Sequence, residues 1–110
     1  MKIIRDVLAA DEHIRDALES KKRIIAPTSL HPFLASIRAA DRPLLIVTSS
    51  SRSSEDLVND LRQLNDEVFE FPAWETLPHE RLSPRSDTVA QRIATLIKLK
   101  ENKAHNPIVV

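Results

Sequence analysis

The feature that most constrains this fold is an alternation between short apolar runs and segments of helical periodicity. The clearest run is Leu-Leu-Ile-Val-Thr at residues 44–48, and others occupy residues 23–27 and 107–110, while residues 67–71 alternate between polar and apolar positions as a strand does. An uninterrupted apolar run of this kind is typical of a strand that a parallel sheet buries on both faces. Because helices of about 10–15 residues separate the runs, the pattern predicts right-handed βαβ units in a parallel sheet flanked by helices.

Apolar spacing locates the helices. It predicts two short ones at residues 3–9 and 12–20, with Asp11 as the N-cap of the second. The last helix is predicted at residues 86–101, where an apolar stripe repeats at helical spacing. This stripe consists of Val89, Ile93, Leu96 and Ile97.

Two further helices are predicted from their caps. Ser29 can cap a helix that places Phe33 on its apolar face and tolerates Pro32 in its first turn. Ser53 and Asp56 match the capping-box pattern at the start of the next helix.

The strand order is also a prediction. We expect residues 44–47 to be central and residues 24–25 to lie beside the chain-terminal strand. If the four predicted strands are numbered along the chain, their order in the sheet is 1-4-2-3. Because the sequence ends inside an apolar run, we also expect residues 1–110 to be a fragment of a domain that continues beyond residue 110.

Glycine is absent from all 110 residues, which excludes the Gly-rich loops that cradle phosphates through positive φ angles. Residues 26–33 stand where an α/β ATPase has its phosphate loop. Pro32 takes the lysine position and offers neither a cation nor an N–H group, while Phe33 replaces the hydroxyl that binds Mg²⁺. We therefore predict neither ATP hydrolysis nor a bound cofactor. A weaker alternative is a degenerate nucleotide-binding domain that retains adenine contacts.

Charge and composition limit the remaining functions. Lys and Arg total 16 and Asp and Glu total 16, so the net charge is zero and any DNA binding should be weak or absent. The four histidines are scattered, which predicts no metal site, and no nucleophile motif predicts a catalytic residue. The absence of cysteine fits a cytoplasmic protein, and no apolar run is long enough for a membrane span.

Two segments carry candidate interaction residues. The serine-rich residues 49–54, which include Arg52, follow the clearest strand, where anions such as DNA phosphates bind in α/β sheets. Of the two interpretations, phosphate contact or a solvated turn with helix caps, we expect the solvated turn. The proline-rich residues 72–84 contain the chain's sole tryptophan, which could enter a partner's pocket or fold back over the sheet edge; we expect the second, structural role. The candidates in and beside this second segment are Trp74, Glu75, His79, Arg81 and Arg85.

A resemblance sharpens this interpretation. Residues 71–92 read FPAWETLPHERLSPRSDTVAQR. They resemble the signature FP-x-WETLP-x-(D/E)-x-x-SP-x-x-D-x-x-x-x-R near the N-terminus of the bacterial transcription-repair coupling factors. The order of the preceding strands and helices also resembles that family, so the resemblance extends over nearly the whole chain.

The resemblance implies the first half of a UvrB-like domain with a degenerate, non-hydrolysing helicase fold. The family is an ATP-dependent DNA translocase that displaces stalled RNA polymerase and recruits UvrA in nucleotide-excision repair; its Mg-ATP site lies in a distant motor. By resemblance, this chain is a non-catalytic scaffold segment that should not hold UvrA or RNA polymerase strongly by itself. The alternative is a free-standing small α/β domain that binds another protein through the Trp74 loop.

Overall fold

The fold combines helices with one small parallel sheet in the residues that the computed structural model describes, namely 1–74, 85–101 and 106–110. A 3₁₀ turn at Thr28–Leu30 leads directly into the third helix. The helices are α1 (Lys2–Ala9), α2 (Glu12–Glu19), α3 (His31–Arg38), α4 (Ser51–Arg62) and α5 (Ser86–Glu101), and the strands are β1 (Leu44–Leu45), β2 (Val68–Phe69) and β3 (Ile108–Val109).

The sheet confirms the parallel α/β class but not the predicted strand order. Its order is β1-β3-β2, so the central strand is β3 and not the run at residues 44–47. The backbone of β3 is hydrogen-bonded on both sides: the Ile108 N–H group donates to Glu67, and the Val109 carbonyl accepts from Ile46. The most apolar run therefore forms an edge, because strand neighbours are set by pairing across the fold and not by the hydrophobicity of one run.

The predicted strand at residues 23–27 is wrong. Its backbone is irregular and Ile25 is 87% exposed. The carbonyl groups of this segment are used locally: Pro27 accepts a hydrogen bond from the Leu30 N–H group at 2.9 Å, and His31 Nε2 lies 3.1 Å from the Ala26 oxygen. The segment therefore forms the turn into α3, and the first strand of the predicted order 1-4-2-3 does not form.

Local capping explains where the helices begin. Asp11 caps α2 as predicted, because its carboxylate accepts from the N–H groups of His13 and Ile14. The predicted start of α4 at Ser53 is wrong, since Ser50 is the extended N-cap and its hydroxyl accepts from the Ser53 N–H group at 3.2 Å. Ser29 does not cap α3 either, because it lies within the 3₁₀ turn.

The end of α2 has an unusual backbone. Lys21 follows the C-cap residue Ser20 and has a φ of 55°. This left-handed position after a helix is most often filled by glycine, whose missing Cβ removes the steric penalty. In a chain without glycine, a lysine takes it.

The hydrophobic core lies between one face of the sheet and helices α3 and α4. Leu61 and Ile108 are fully buried at its centre, and part-buried side chains of α3, α4 and β1 pack around them. The buried cluster consists of Ala39, Val58, Leu61, Val68, Ile108 and Val110. All of its members come from α3–α4 and the sheet strands with their flanking residues, so α5 contributes nothing to it.

Helix α5 has the predicted bounds, but its apolar stripe is not its buried face. Ile93, Leu96 and Ile97 are 51%, 55% and 49% exposed. The buried positions are Thr88 and Thr95. The Thr95 hydroxyl donates to the Glu70 carbonyl at 2.5 Å, so a polar contact orients the helix on the sheet.

The molecule is elongated. Its radius of gyration is 15.6 Å, whereas a compact domain of this length has about 13 Å. This shape agrees with the apolar side chains left exposed on α1, α5 and β1.

Candidate interaction site

The candidate site lies at the carboxyl ends of the strands, where ligands and partners commonly bind in parallel α/β sheets. The turn after β1, the first turn of α4, the segment after β2 and one side of α5 enclose a cavity of about 610 Å³. Polar residues from all four of these elements line it, among them Ser50, Glu55, Glu70 and Arg92. The cavity therefore sits near the place predicted from the serine-rich residues 49–54.

Arg92 is the organising residue of this site. Its guanidinium lies 4.0 Å from the ring centroid of Phe71 and 4.2 Å from that of Trp74. Its Nη1 group also donates to the Pro72 carbonyl at 2.6 Å. A cation over an aromatic ring contributes about 0.5–1 kcal/mol at an exposed site, and a charge-assisted hydrogen bond adds to it. One side chain of α5 thus holds three residues of the segment after β2.

Thr95 makes a second connection one helical turn further along α5. Its hydroxyl hydrogen bond to Glu70 lies on the same side of the helix as Arg92, because the two residues are three positions apart. Together they fix α5 along residues 70–74. We call this set of contacts, made by Arg92 and Thr95 to residues 70–74, the α5 attachment.

The described candidate residues occupy three separate places. Trp74 is 50% exposed and stacks on Arg92, so it is not a core residue. Arg85 is exposed and pairs with Asp87 at 3.7 Å. Arg52 is exposed in the first turn of α4, where a cation has no support from the helix dipole. Glu75, His79 and Arg81 lie outside the described residues.

Two serine hydroxyls at the start of α4, those of Ser50 and Ser53, are engaged with their own turn. Ser50 accepts from the Ser53 N–H group and its hydroxyl lies 2.9 Å from that of Ser53, while the Thr48 hydroxyl donates to the Ser50 carbonyl. Glu55 and Glu70 add negative charge to the cavity lining. These contacts stabilise the start of α4 and do not assemble a strong anion site.

The turn at residues 26–33 shows what stands in the phosphate-loop position. Pro32 and Phe33 are buried, with Phe33 only 9% exposed. A second cavity of about 540 Å³ lies beside this turn and is lined by Thr28, His31, Asp56 and Asp60 among others. Within residues 1–74, 85–101 and 106–110, no group of three or more metal-ligating side chains occurs.

Arg92 and Thr95 are site residues that were not among the candidates predicted from the sequence. In the sequence, Arg92 is the last position of the 71–92 signature, 20 residues away from the carbonyl that it binds. The signal that could have found it is the signature itself. Both of its ends meet in the structure, because Phe71, Pro72 and Trp74 at the start contact the arginine at the end.

The fold and the site define this chain as a parallel α/β domain with an aromatic–arginine cluster at the carboxyl edge of its sheet. No family model matches it. It is 48% identical over 77 residues to the transcription-repair-coupling factors of Mycobacterium tuberculosis and Mycobacterium bovis. It is also 35% identical over 60 residues to the one from Haemophilus influenzae.

These matches confirm the resemblance predicted from the signature: the chain is related in sequence to the N-terminal region of transcription-repair-coupling factors. The mycobacterial match covers 69% of this chain but only 6% of each relative. The chain therefore corresponds to a small part of those proteins. None of the described helices is long and apolar enough to cross a membrane.

Proposed function

We propose that this chain is a non-catalytic scaffold segment from the N-terminal, UvrB-like part of a transcription-repair coupling factor. The sequence relatives, which are all transcription-repair-coupling factors, support this choice of parent protein. The observation that carries the non-catalytic role is the burial of Pro32 and Phe33 at the start of α3. A nucleotide site needs a cation and a metal-binding hydroxyl there, facing solvent.

The backbone around α3 supports the same conclusion. The Leu30 N–H group donates to the Pro27 carbonyl, so an amide of the turn is already used within it. A phosphate loop depends on free N–H groups that converge on the anion. This turn therefore serves packing between α3 and the sheet, with ATP and Mg²⁺ bound in the distant motor of the parent.

The partners of the parent belong to the same proposal. UvrA and RNA polymerase are held by other parts of a coupling factor, and this segment contributes a folded support for them. DNA binding by the segment should be weak, because the formal net charge is zero and little counterion release is available to drive association.

Calorimetric titration of the 110-residue chain with Mg-ATP tests the non-catalytic role. We expect no binding heat and no phosphate release. A Thr28→Ala variant, which alters the cavity beside the α3 turn, serves as the matched control: any heat that it abolishes arises there. Mg-dependent binding at micromolar ATP would contradict the proposal.

A graft tests the scaffold role. The segment of the Mycobacterium tuberculosis relative that matches this chain is replaced by the corresponding residues of this chain. We expect the chimera to keep its ATPase activity and its release of stalled RNA polymerase, and a graft carrying Leu61→Ala to lose stability. A chimera that folds normally but loses polymerase release would contradict a purely supporting role.

A second candidate function is protein binding through the Trp74 loop, and the half-exposed indole favours it. Such a site would lose affinity in a Trp74→Ala variant whose melting temperature is unchanged. A stability loss in that variant, without a change in partner retention, would instead favour the scaffold role.

A further inference from the structure

Helix α5 is attached to the rest of the fold in an unusual way. Three of the four residues in its apolar stripe, Ile93, Leu96 and Ile97, are about half exposed, whereas Arg92 and Thr95 make polar contacts that orient the helix. A helix in an α/β fold usually gains its stability from burying its apolar stripe. For α5 that contribution is small, so the α5 attachment carries a large share of what holds the helix in place.

The hydrophobic core is complete without α5. Every described member of the buried cluster belongs to α3, α4 or the sheet region, and the part-buried side chains packed against it come from α3, α4 and β1. Loss of α5 would therefore leave these contacts intact. Elements that bury little apolar surface open locally at a lower free energy than the core does.

We propose that Arg92 is a conformational catch for α5. When its guanidinium leaves Phe71, Pro72 and Trp74, α5 separates from the sheet while α3, α4 and the strands stay folded. Because Thr88 and Arg92 form one wall of the 610 Å³ cavity, this opening converts the cavity into an open face at the carboxyl edge of the sheet. Trp74 loses its stacking partner in the same event.

Arginine is suited to this role because its planar guanidinium can stack on rings and donate a directed hydrogen bond at the same time. Lysine retains the charge but not the planar stacking. Lys98 lies on the same helix and is exposed, so it offers a matched control on α5 outside the attachment.

Hydrogen exchange of the unmodified chain provides the first test. At low urea, amides of α5 such as Ile93 and Leu96 should exchange at least about tenfold faster than Val58 and Leu61 of α4, through a separate opening event. Equal rates that converge on global unfolding would overturn the proposal, because α5 would then open only with the core.

Arg92→Ala provides the second test. We expect α5 amides to exchange about tenfold faster than in the unmodified 110-residue chain, with α4 amides changed less than about twofold. Arg92→Lys should recover part of the protection from exchange, and Lys98→Ala should exchange at the same rates as the unmodified chain. Unchanged α5 exchange, or equal acceleration in α4, would overturn the catch.

The sole tryptophan gives an independent reading of the same variants. Arg92→Ala should shift Trp74 emission to longer wavelength and increase its quenching by acrylamide, while Lys98→Ala should leave both unchanged. If Trp74 emission and quenching are the same with and without the Arg92 guanidinium, the stacking in the structure does not persist in solution and the proposal fails.

Discussion

Arg92 illustrates how one side chain can join two segments that are far apart in sequence. It stacks on two rings and donates to a backbone carbonyl, which suits a planar, permanently charged group. The residues that it gathers lie around position 72, and the hydrogen-bonded pair is 20 positions apart. At this scale, the site depends on a cation that is used internally and not on one offered to a ligand.

Trp74 is the first residue-scale prediction. Trp74→Ala should destabilise the chain by about 2 kcal/mol, roughly half the value for a fully buried tryptophan, because half of the side chain is exposed. Trp74→Phe should retain part of the stacking on Arg92 and lose less. Thermal unfolding checks this, and a midpoint within about 2 °C of the parent would contradict a structural role for Trp74.

The second residue-scale prediction concerns Lys21. Lys21→Gly should stabilise the chain by about 0.5–1 kcal/mol, because relief of the left-handed strain exceeds the added entropy of the unfolded glycine. Lys22→Gly is the matched control and should destabilise it, since Lys22 has no positive φ to relieve. Urea unfolding of both variants decides the matter, and a loss of stability in Lys21→Gly would show that the strain is negligible.

At the scale of elements, the helix bounds could be predicted from local sequence signals, whereas the pairing of the strands could not. The bounds of α1, α2 and α5 agree with the sequence pattern because periodicity and a cap such as Asp11 are local properties. The strand order was wrong because apolar runs do not specify their neighbours, and the run at residues 23–27 resembles a strand although its carbonyls bond within a turn.

The candidate site was predictable in position but not in composition. The carboxyl edge of a parallel sheet could be expected from the class of fold. The contacts of Arg92 depend on how α5 is rotated on the sheet, and its apolar stripe indicated the wrong face. The buried face of α5 carries two threonines and an arginine. In a sequence, such a row of polar residues looks the same as a face exposed to solvent.

Helix α2 supplies the element-scale prediction. It has no fully buried residue, and Ile14, Ala17 and Leu18 are only part-buried, so its own cap is an important part of its stability. Asp11→Ala should weaken the helix by about 1 kcal/mol and cause local fraying, whereas Asp11→Asn should preserve the cap. Cα chemical shifts of residues 12–19 report the effect. A global midpoint that falls as far as in a core variant would show that α2 is coupled to the core.

At the scale of the whole molecule, stability is concentrated in one layer. Leu61→Ala should cost about 2–5 kcal/mol because it empties the centre of the core. Ile93→Ala removes a similar side chain from the half-exposed stripe of α5 and should cost less than about 1 kcal/mol. Urea unfolding of this pair measures the contrast, and similar losses would mean that α5 shares the core after all.

The elongated shape has a hydrodynamic consequence. The molecule measures 51 × 31 × 24 Å, so its longest axis is more than twice its shortest. Such a particle experiences more friction than a sphere of the same 12.5 kDa mass and tumbles anisotropically. It should elute from a sizing column ahead of globular standards of its mass even as a monomer. Retention volume alone would then overestimate the mass, whereas light scattering would return the mass of a single chain.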